Sequence, residues 1–340
     1  MKPSEVTVHA DHVRSSFPAP QGWSTVRNIF SRLLCLDLSE ASAARRGFNV
    51  SSSADTANHL EEIGRAFIRG YNGAILITSL SELEGYLESV AVDLPGFAYE
   101  GAAMGRELMD GLIPGRRNRF HILCSSPLAA RHIYMLHVGA GWAWARLPWR
   151  LKPRMQSADP LLRWLAVDGF GFHQGFFHGR RFVEKQAVPW LWRGYALRAF
   201  DQGLGRSLWF VRGAQPERIA WTIQRFEQHR RADLWAGAGL SATYAGGVSS
   251  EDLSHLKSLA QGYEQHLAQG SAFAATARLL AGNVTSQTRL ACQVLCGVSV
   301  ERAAKVTDEA LVGLPKDAEV PTFEVWRTRI QAAIVSGTPM

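Results

Sequence analysis

Asp168-Gly169-Phe170-Gly171-Phe172-His173-Gln174-Gly175-Phe176-Phe177-His178 is the most distinctive segment of the chain. It carries aromatic side chains on a glycine-rich backbone with no alternation of polar and apolar residues. A strand reading is therefore poor, and a helical one puts Asp168, Gly171, Gly175 and His178 on one face. An interior helical glycine costs about 1 kcal/mol against alanine, so a run of them needs a reason. Close packing of another backbone and a groove that admits a ligand are the two candidates. Gly171, Gly175 and Gly179, and Gly101 with Gly105, repeat this spacing elsewhere. Outward from here, helical patterns are expected at 23–38, 51–67, 74–92, 97–112, 127–147, 159–179, 191–211, 216–229, 233–245, 251–281, 285–298, 299–311 and 321–335. Arg119 to Cys124 is the one stretch that reads as a strand. The fold class that follows is all-α, a multi-helix domain with little or no β-structure.

Blocks recur at an offset of about 95–100 residues, as expected of an internal duplication. Gly105-Arg106-Glu107-Leu108 returns as Gly205-Arg206-Ser207-Leu208, and Gly139-Ala140-Gly141 as Gly237-Ala238-Gly239. The organisation read from this is a leader at 1–22, N-terminal helices at 23–94, similar helical units at 95–189 and 190–282, and C-terminal helices at 283–340. Chance similarity between Gly/Ala-rich helices is the competing explanation.

The chain has 340 residues, enough for a sizeable core without disulfides. Its four cysteines, Cys35, Cys124, Cys292 and Cys296, are too few for a disulfide framework and point to a reducing compartment. The most apolar stretch, Ile133 to Ala145, is shorter than the about 18 residues of a membrane span. No apolar segment of the secretory type opens the chain. A cytoplasmic protein is expected. With 37 Lys and Arg against 30 Asp and Glu the chain is basic, but its positive charges lie in short separated groups. They accompany no known nucleic-acid-binding motif, so no nucleic-acid partner is expected. Small-molecule substrates, and a homodimer or a paralogous partner chain, are the expected associations.

Chemistry-bearing residues fall into two sets. Asp168, His173 and His178 place an acid and imidazoles beside a face stripped of side chains, suited to proton transfer. A core histidine bonded to a backbone carbonyl is the alternative for either His. Glu100 before Arg106 and Asp201 before Arg206 would deliver two carboxylates and two guanidiniums if both units face one cavity. Structural Arg–carboxylate pairs remain the alternative there. Eleven tryptophans are unusual. Trp142, Trp164, Trp209 and Trp235, with Phe172, are candidates to line a pocket for a flat ligand, with Asp233 as an acid beside Trp235. Plain core packing is the competing explanation and accounts for most of the tryptophans. No phosphate loop, dinucleotide fingerprint or zinc set occurs, so no metal and no cofactor is expected. His9 and His12, and Cys292 with Cys296, are incomplete as metal sets.

Several longer motifs resemble one family. They are Gly96-Phe97-Ala98-Tyr99-Glu100-Gly101-Ala102-Ala103-Met104-Gly105, Gly139-Ala140-Gly141-Trp142-Ala143, Asp159-Pro160-Leu161-Leu162-Arg163-Trp164-Leu165-Ala166, Phe200-Asp201-Gln202-Gly203-Leu204-Gly205-Arg206, Asp233-Leu234-Trp235 and Tyr244-Ala245-Gly246-Gly247. The chain resembles, over about 60–330, a bacterial family of unknown function encoded in enediyne natural-product gene clusters. That resemblance implies a late step of natural-product assembly. In the anthraquinone-fused enediynes it implies joining of the aromatic and enediyne parts by a carbon–carbon bond, without a redox cofactor. The expected mechanism pairs deprotonation of an aromatic phenol by His178 with Asp168, or by His173, with oxyanion binding by Arg106 and Arg206. Glu100 or Asp201 would return the proton. A non-catalytic carrier or self-protection protein for a reactive enediyne is the second reading.

Overall fold

A computed structural model describes residues 33–46, 48, 53–113, 118–315 and 320–336, with side chains to 334. The proposed leader at 1–22, His9 and His12, and most of the 23–38 pattern lie outside the described residues. The described residues from Leu36 onward form one compact unit. Among the described residues every regular element is helical.

The α-helices run in the order α1 (Ala54–Leu76), α2 (Leu80–Glu88), α3 (Pro95–Leu112), α4 (Arg119–Cys124), α5 (Pro127–Ala130), α6 (Ile133–Arg146), α7 (Leu151–Ser157) and α8 (Arg163–Phe177). They continue with α9 (Tyr195–Val211), α10 (Pro216–Gln224), α11 (Gln228–Tyr244), α12 (Ser250–Leu259), α13 (Glu264–Ala281), α14 (Ser286–Leu295), α15 (Val300–Glu309) and α16 (Thr322–Ser336). Starts are set by local chemistry. Ser53, Ser79, Thr285 and Ser299 accept a backbone N–H as N-caps, and Ser249 with Asp252 closes a capping box. Pro95, Pro127 and Pro216 occupy first turns, where no N–H is needed.

Seven of these helices, α1, α3, α6, α8, α9, α11 and α13, form a row in which each packs along the next. The glycines explain how. Helices α6, α8, α9 and α11 each carry a Gly-x-Gly pair, at 139/141, 169/171, 203/205 and 237/239. Residues two apart on a helix point to nearly opposite sides. One glycine therefore meets the preceding helix and the other the following one. A Cβ on Gly141 would stand 1.9 Å from Ala166 O of α8, and one on Gly169 the same distance from Val138 O of α6. Gly171 and Gly203 make the reciprocal contact between α8 and α9, at 2.1 Å from Phe200 O and 1.8 Å from Asp168 O. Gly205 and Gly237 do so between α9 and α11. The correspondence between Gly139-Ala140-Gly141 and Gly237-Ala238-Gly239 thus links the first and last helices of a four-helix series.

This register aims the flanking residues inward. The residues just before and just after each pair are four apart and share a face. They are Val138 and Trp142, Asp168 and Phe172, Gln202 and Arg206, Ala236 and Leu240, all of them buried. The two ends of the row meet through polar contacts. His59 Nε2 lies 2.7 Å from Ala245 O, Thr56 donates to Gly247 O, and Arg278 donates to Asp93 O at 2.6 Å and Tyr244 O at 2.5 Å.

Sequence patterns err where a boundary depends on tertiary packing. Arg119–Cys124 is helical, not a strand. The Asp110 carboxylate accepts the Phe120 N–H at 3.0 Å and pairs with Arg119, and only Leu123 of the segment is buried. The pattern at 251–281 breaks at Gly262 (φ +84) into α12 and α13, and that at 127–147 breaks at Arg131 and His132. Helix α8 ends at Phe177, so His178 leaves the face that Asp168, Gly171 and Gly175 share.

Gly85, in the middle of α2, is a control for the packing argument, because a Cβ there meets nothing within 4 Å. Gly85→Ala is expected to stabilise the protein by about 0.5–1 kcal/mol, read as a higher urea midpoint.

Candidate functional site

Four of the inward residues, Trp142, Phe172, Arg206 and Leu240, line a cavity reached between α1, α3, α6, α8, α9 and α11 and residues 36–46 and 48. About 90 Å³ of it is open to the centres of water molecules, within about 970 Å³ of empty space between its walls and its mouth. That inner volume is several times what one water needs. The walls are mostly apolar and aromatic: Phe67, Trp142, Phe172, Phe176, Phe177 and Phe210 among others. Phe67 and Phe172 flank the Trp142 ring at centroid distances of 4.5 and 5.1 Å. Such a surface suits a flat apolar ligand.

Besides Glu40, Arg46, Glu61 and Ser241, the polar side chains Glu100, Arg206 and Tyr244 reach this lining from three different helices. Glu100 of α3 is 3% exposed and accepts a hydrogen bond from Trp142 Nε1 at 3.0 Å. Burial pushes its carboxyl from the ordinary 4.5 up to about 7; the nearby Arg206 charge opposes the shift and Asp168 adds to it. Arg206 of α9 pairs with Asp168 of α8 at 2.5 Å and stands over the Phe172 ring. Gln202, one turn before Arg206, donates to the other Asp168 oxygen at 2.8 Å. Arg206 Nε and the Tyr244 hydroxyl are buried donors with no partner among the described residues. Burial raises the Tyr244 phenol, with Arg278, stacked over its ring at 4.2 Å, pulling the other way. A smaller apolar cavity, with Met135, Val138, Leu165, Phe273 and Trp326 in its wall, lies against the same Arg206, Leu240 and Tyr244.

The fold thus brings together Glu100, Asp168, Arg206, Trp142 and Phe172 from the residues singled out in the sequence. It separates the others. His173 packs against Trp142 and Phe177, and Arg146 Nε lies 3.3 Å from its Nε2. Burial, then Arg146, holds the His173 pKa well below its ordinary value, so this imidazole is neutral at pH 7. His178 is exposed past the end of α8, its ring 6.0 Å from that of His173, and forms no pair with Asp168. Arg106 donates to Ile77 O, and Asp201 is held by two hydrogen bonds from Arg230. The expected pairing of both guanidiniums and both carboxylates around one cavity therefore reduces to Arg206 with Glu100. Asp233 pairs with Arg198 and Arg327 away from the cavity. Trp164 sits edge-on to Tyr195, Trp209 donates to Gly246 O, and Trp235 is 1% exposed in the core.

Tyr244 and Gln202 are the members that sequence reasoning did not single out. Gln202 had a signal, standing one helical turn before Arg206. Tyr244 had only its place at the head of the Tyr244-Ala245-Gly246-Gly247 motif; the fold sets its hydroxyl 1.9 Å from where a Cβ on Gly96 would be. Among the described residues there is no group of three or more His, Cys, Asp or Glu placed to hold a metal ion. None of the described helices is long and apolar enough to cross a membrane.

A family model described as "Protein of unknown function (DUF1702)" matches residues 25–334. The chain belongs to the DUF1702 family. No curated protein and no solved structure matches it. The matched span takes in every helix of the row, so the site described here lies wholly within the DUF1702 region.

Proposed function

We propose that this DUF1702 protein is an acid–base enzyme of natural-product assembly that joins an aromatic polyketide phenol to an enediyne intermediate through a carbon–carbon bond. The observation that carries the acid–base part is Glu100, a buried carboxyl held near neutrality within an aromatic-walled cavity, beside a guanidinium and a phenol with unused donors. A general base works best with a pKa near the ambient pH, and preorganised donors beside it stabilise developing oxyanions. The substrate class comes from the resemblance to enediyne-cluster proteins. No cofactor has a part in the proposed proton transfers.

In this reading the Glu100 carboxylate accepts the phenol proton. The oxygen electron pair moves into the ring, whose carbon attacks an oxygen-bearing electrophilic carbon of the enediyne partner. The carbon–oxygen pair of that partner moves onto its oxygen, which takes the proton from Glu100. The ring C–H proton then passes to the phenolate oxygen and restores aromaticity, so atoms and charge balance without oxidant or reductant. Arg206 Nε and Tyr244 OH are the donors for the two oxyanions, and Trp142 and Phe172 hold the planar substrate. Holding both reactants in one dry pocket supplies up to about 7–11 kcal/mol of the acceleration.

The test is to mix the protein with an aromatic polyketide phenol and an enediyne intermediate and look for the joined mass by chromatography and mass spectrometry. Product is expected with the wild type. Glu100→Gln is expected to lower its rate by about 10²–10⁴-fold with substrate binding kept. Retention of both substrates through gel filtration with no joined mass would overturn the catalytic reading in favour of a carrier.

A further inference from the structure

The mouth of the cavity is built differently from its interior. Arg46, on the segment 36–48, stands over Phe177 at 4.5 Å from the ring centroid and over Phe176 at 5.7 Å, and all three side chains line the cavity. Arg146, the last residue of α6, stands over the same Phe177 ring at 5.7 Å. Two guanidiniums thus share one phenyl ring of the cavity wall, Arg46 from the lining itself and the exposed Arg146 from just outside it. His178, exposed just past α8, and Arg181 lie close enough for their charges to be felt within this group. Among the described residues the one carboxylate in ion-pair contact with it is Glu40, which Arg46 shares with Arg45. Arg146 has no carboxylate partner among the described residues; it donates to the ring nitrogen of His173. That hydrogen bond puts the imidazole proton on Nδ1, which is buried without an acceptor although His173 is 2% exposed.

Cations gathered around one shared carboxylate, Glu40, still repel one another, and the second carboxylate of the lining, Glu61, is paired with Arg65. A guanidinium is shaped to receive a carboxylate through two parallel N–H bonds. We propose that Arg46 and Arg146, with His178 beside them, form an anion-binding subsite at the cavity mouth, and that the ligand is an aromatic body carrying a terminal carboxylate. The apolar body lies along Trp142, Phe172 and Phe176, and the carboxylate meets the two guanidiniums over Phe177. This deepens the function proposed above and rests on the cavity being a ligand site. It adds a property that the acid–base reading does not require, namely a negative charge on the substrate end that stays outermost.

The experiment uses two probes of nearly equal size, 2-naphthoate and its neutral carboxamide, with binding followed by quenching of tryptophan fluorescence in low salt. The carboxylate is expected to bind at least tenfold more tightly, with the advantage shrinking in 0.5 M salt, as exposed charge pairs do (roughly a 4 Å Debye length). Arg46→Gln and Arg146→Gln, both away from the buried core, are expected to remove most of that advantage while leaving carboxamide binding within about twofold. Circular dichroism of each variant guards against misfolding. Equal binding of the two probes would overturn the subsite and leave the cavity reading standing. A carboxylate preference that survives both substitutions would also overturn it. Binding of neither probe at millimolar concentration would overturn the cavity reading and the subsite with it.

Discussion

Gly203→Ala is expected to be severely destabilising, moving the urea midpoint far below that of the wild type. The added Cβ would sit 1.8 Å from Asp168 O and 2.8 Å from Phe172 N, both backbone atoms of a helix that is itself clamped by α6. Rotating a side chain cannot relieve such a contact, so α8 and α9 must separate along their whole length. Overpacking alone costs about 1–3 kcal/mol where side chains can yield. Here the reciprocal contact of Gly171 with Phe200 O and the hydrogen bonds to Asp168 are lost as well. A penalty of at least about 4 kcal/mol is therefore expected, a large share of the 5–15 kcal/mol by which domains are stable. Urea unfolding of Gly203→Ala against Gly85→Ala checks the argument, since the same chemical change should move the midpoint in opposite directions. A Gly203→Ala midpoint within error of wild type would show that the helices are not in backbone contact.

Arg206→Met is the second large effect. It removes the cation from a buried pair in which both side chains are less than 5% exposed, leaving Asp168 with Gln202 alone. Breaking such a pair from one side costs about 3–5 kcal/mol, because the remaining charge is uncompensated. The double variant Arg206→Met/Asp168→Leu should recover part of the loss, since an apolar pair of similar volume carries no such penalty. Arg206 also opposes the upward pull on Glu100, so its loss should drive the Glu100 pKa still higher. The structural and functional consequences thus share one residue. A midpoint unchanged from wild type would mean that the Asp168–Arg206 pair does not hold α8 to α9.

What the sequence made legible, and what it hid, follows from the range of the interactions. The glycine spacing announced tightly packed helices, because a helical glycine with no local use is a statement about a neighbour. It could not say which neighbour, and the Gly-x-Gly pairs proved to serve both sides of each helix at once. Glu100, Arg206, Trp142 and Phe172 were recognisable as chemistry-bearing residues. Their convergence was legible only as a condition on how the helices face, and Asp168 meets Arg206 across 38 positions of chain. His178 was misplaced by local geometry: one helical position decides whether it points into the row or out to solvent, and α8 stops at Phe177. The Asp201 and Asp233 carboxylates read as candidates in the sequence because their arginine partners, Arg230 and Arg327, lie on other helices. The segment 36–48 had no periodic signal, since it contributes Arg46 and Phe48 from irregular backbone.

Burial is expected to make Glu100 change protonation near pH 7 inside the cavity. Folding raises its pKa above that of an exposed glutamate, so between about 4.5 and 7 the native state holds a proton that the unfolded chain has released. Stability from this group is therefore greatest at low pH and falls as pH rises through that window, by roughly 3 kcal/mol at most. Glu107, pushed up to about 7 by burial with Arg154 opposing, adds a similar slope, so the Glu100 share must be isolated by difference. Infrared difference spectra of wild type against Glu100→Gln between pH 5 and 9 do this, by following the carbonyl band of the protonated acid. The expected result is a band that disappears with a midpoint near pH 7. Its absence throughout, with Glu100 already ionised at pH 5, would contradict the account.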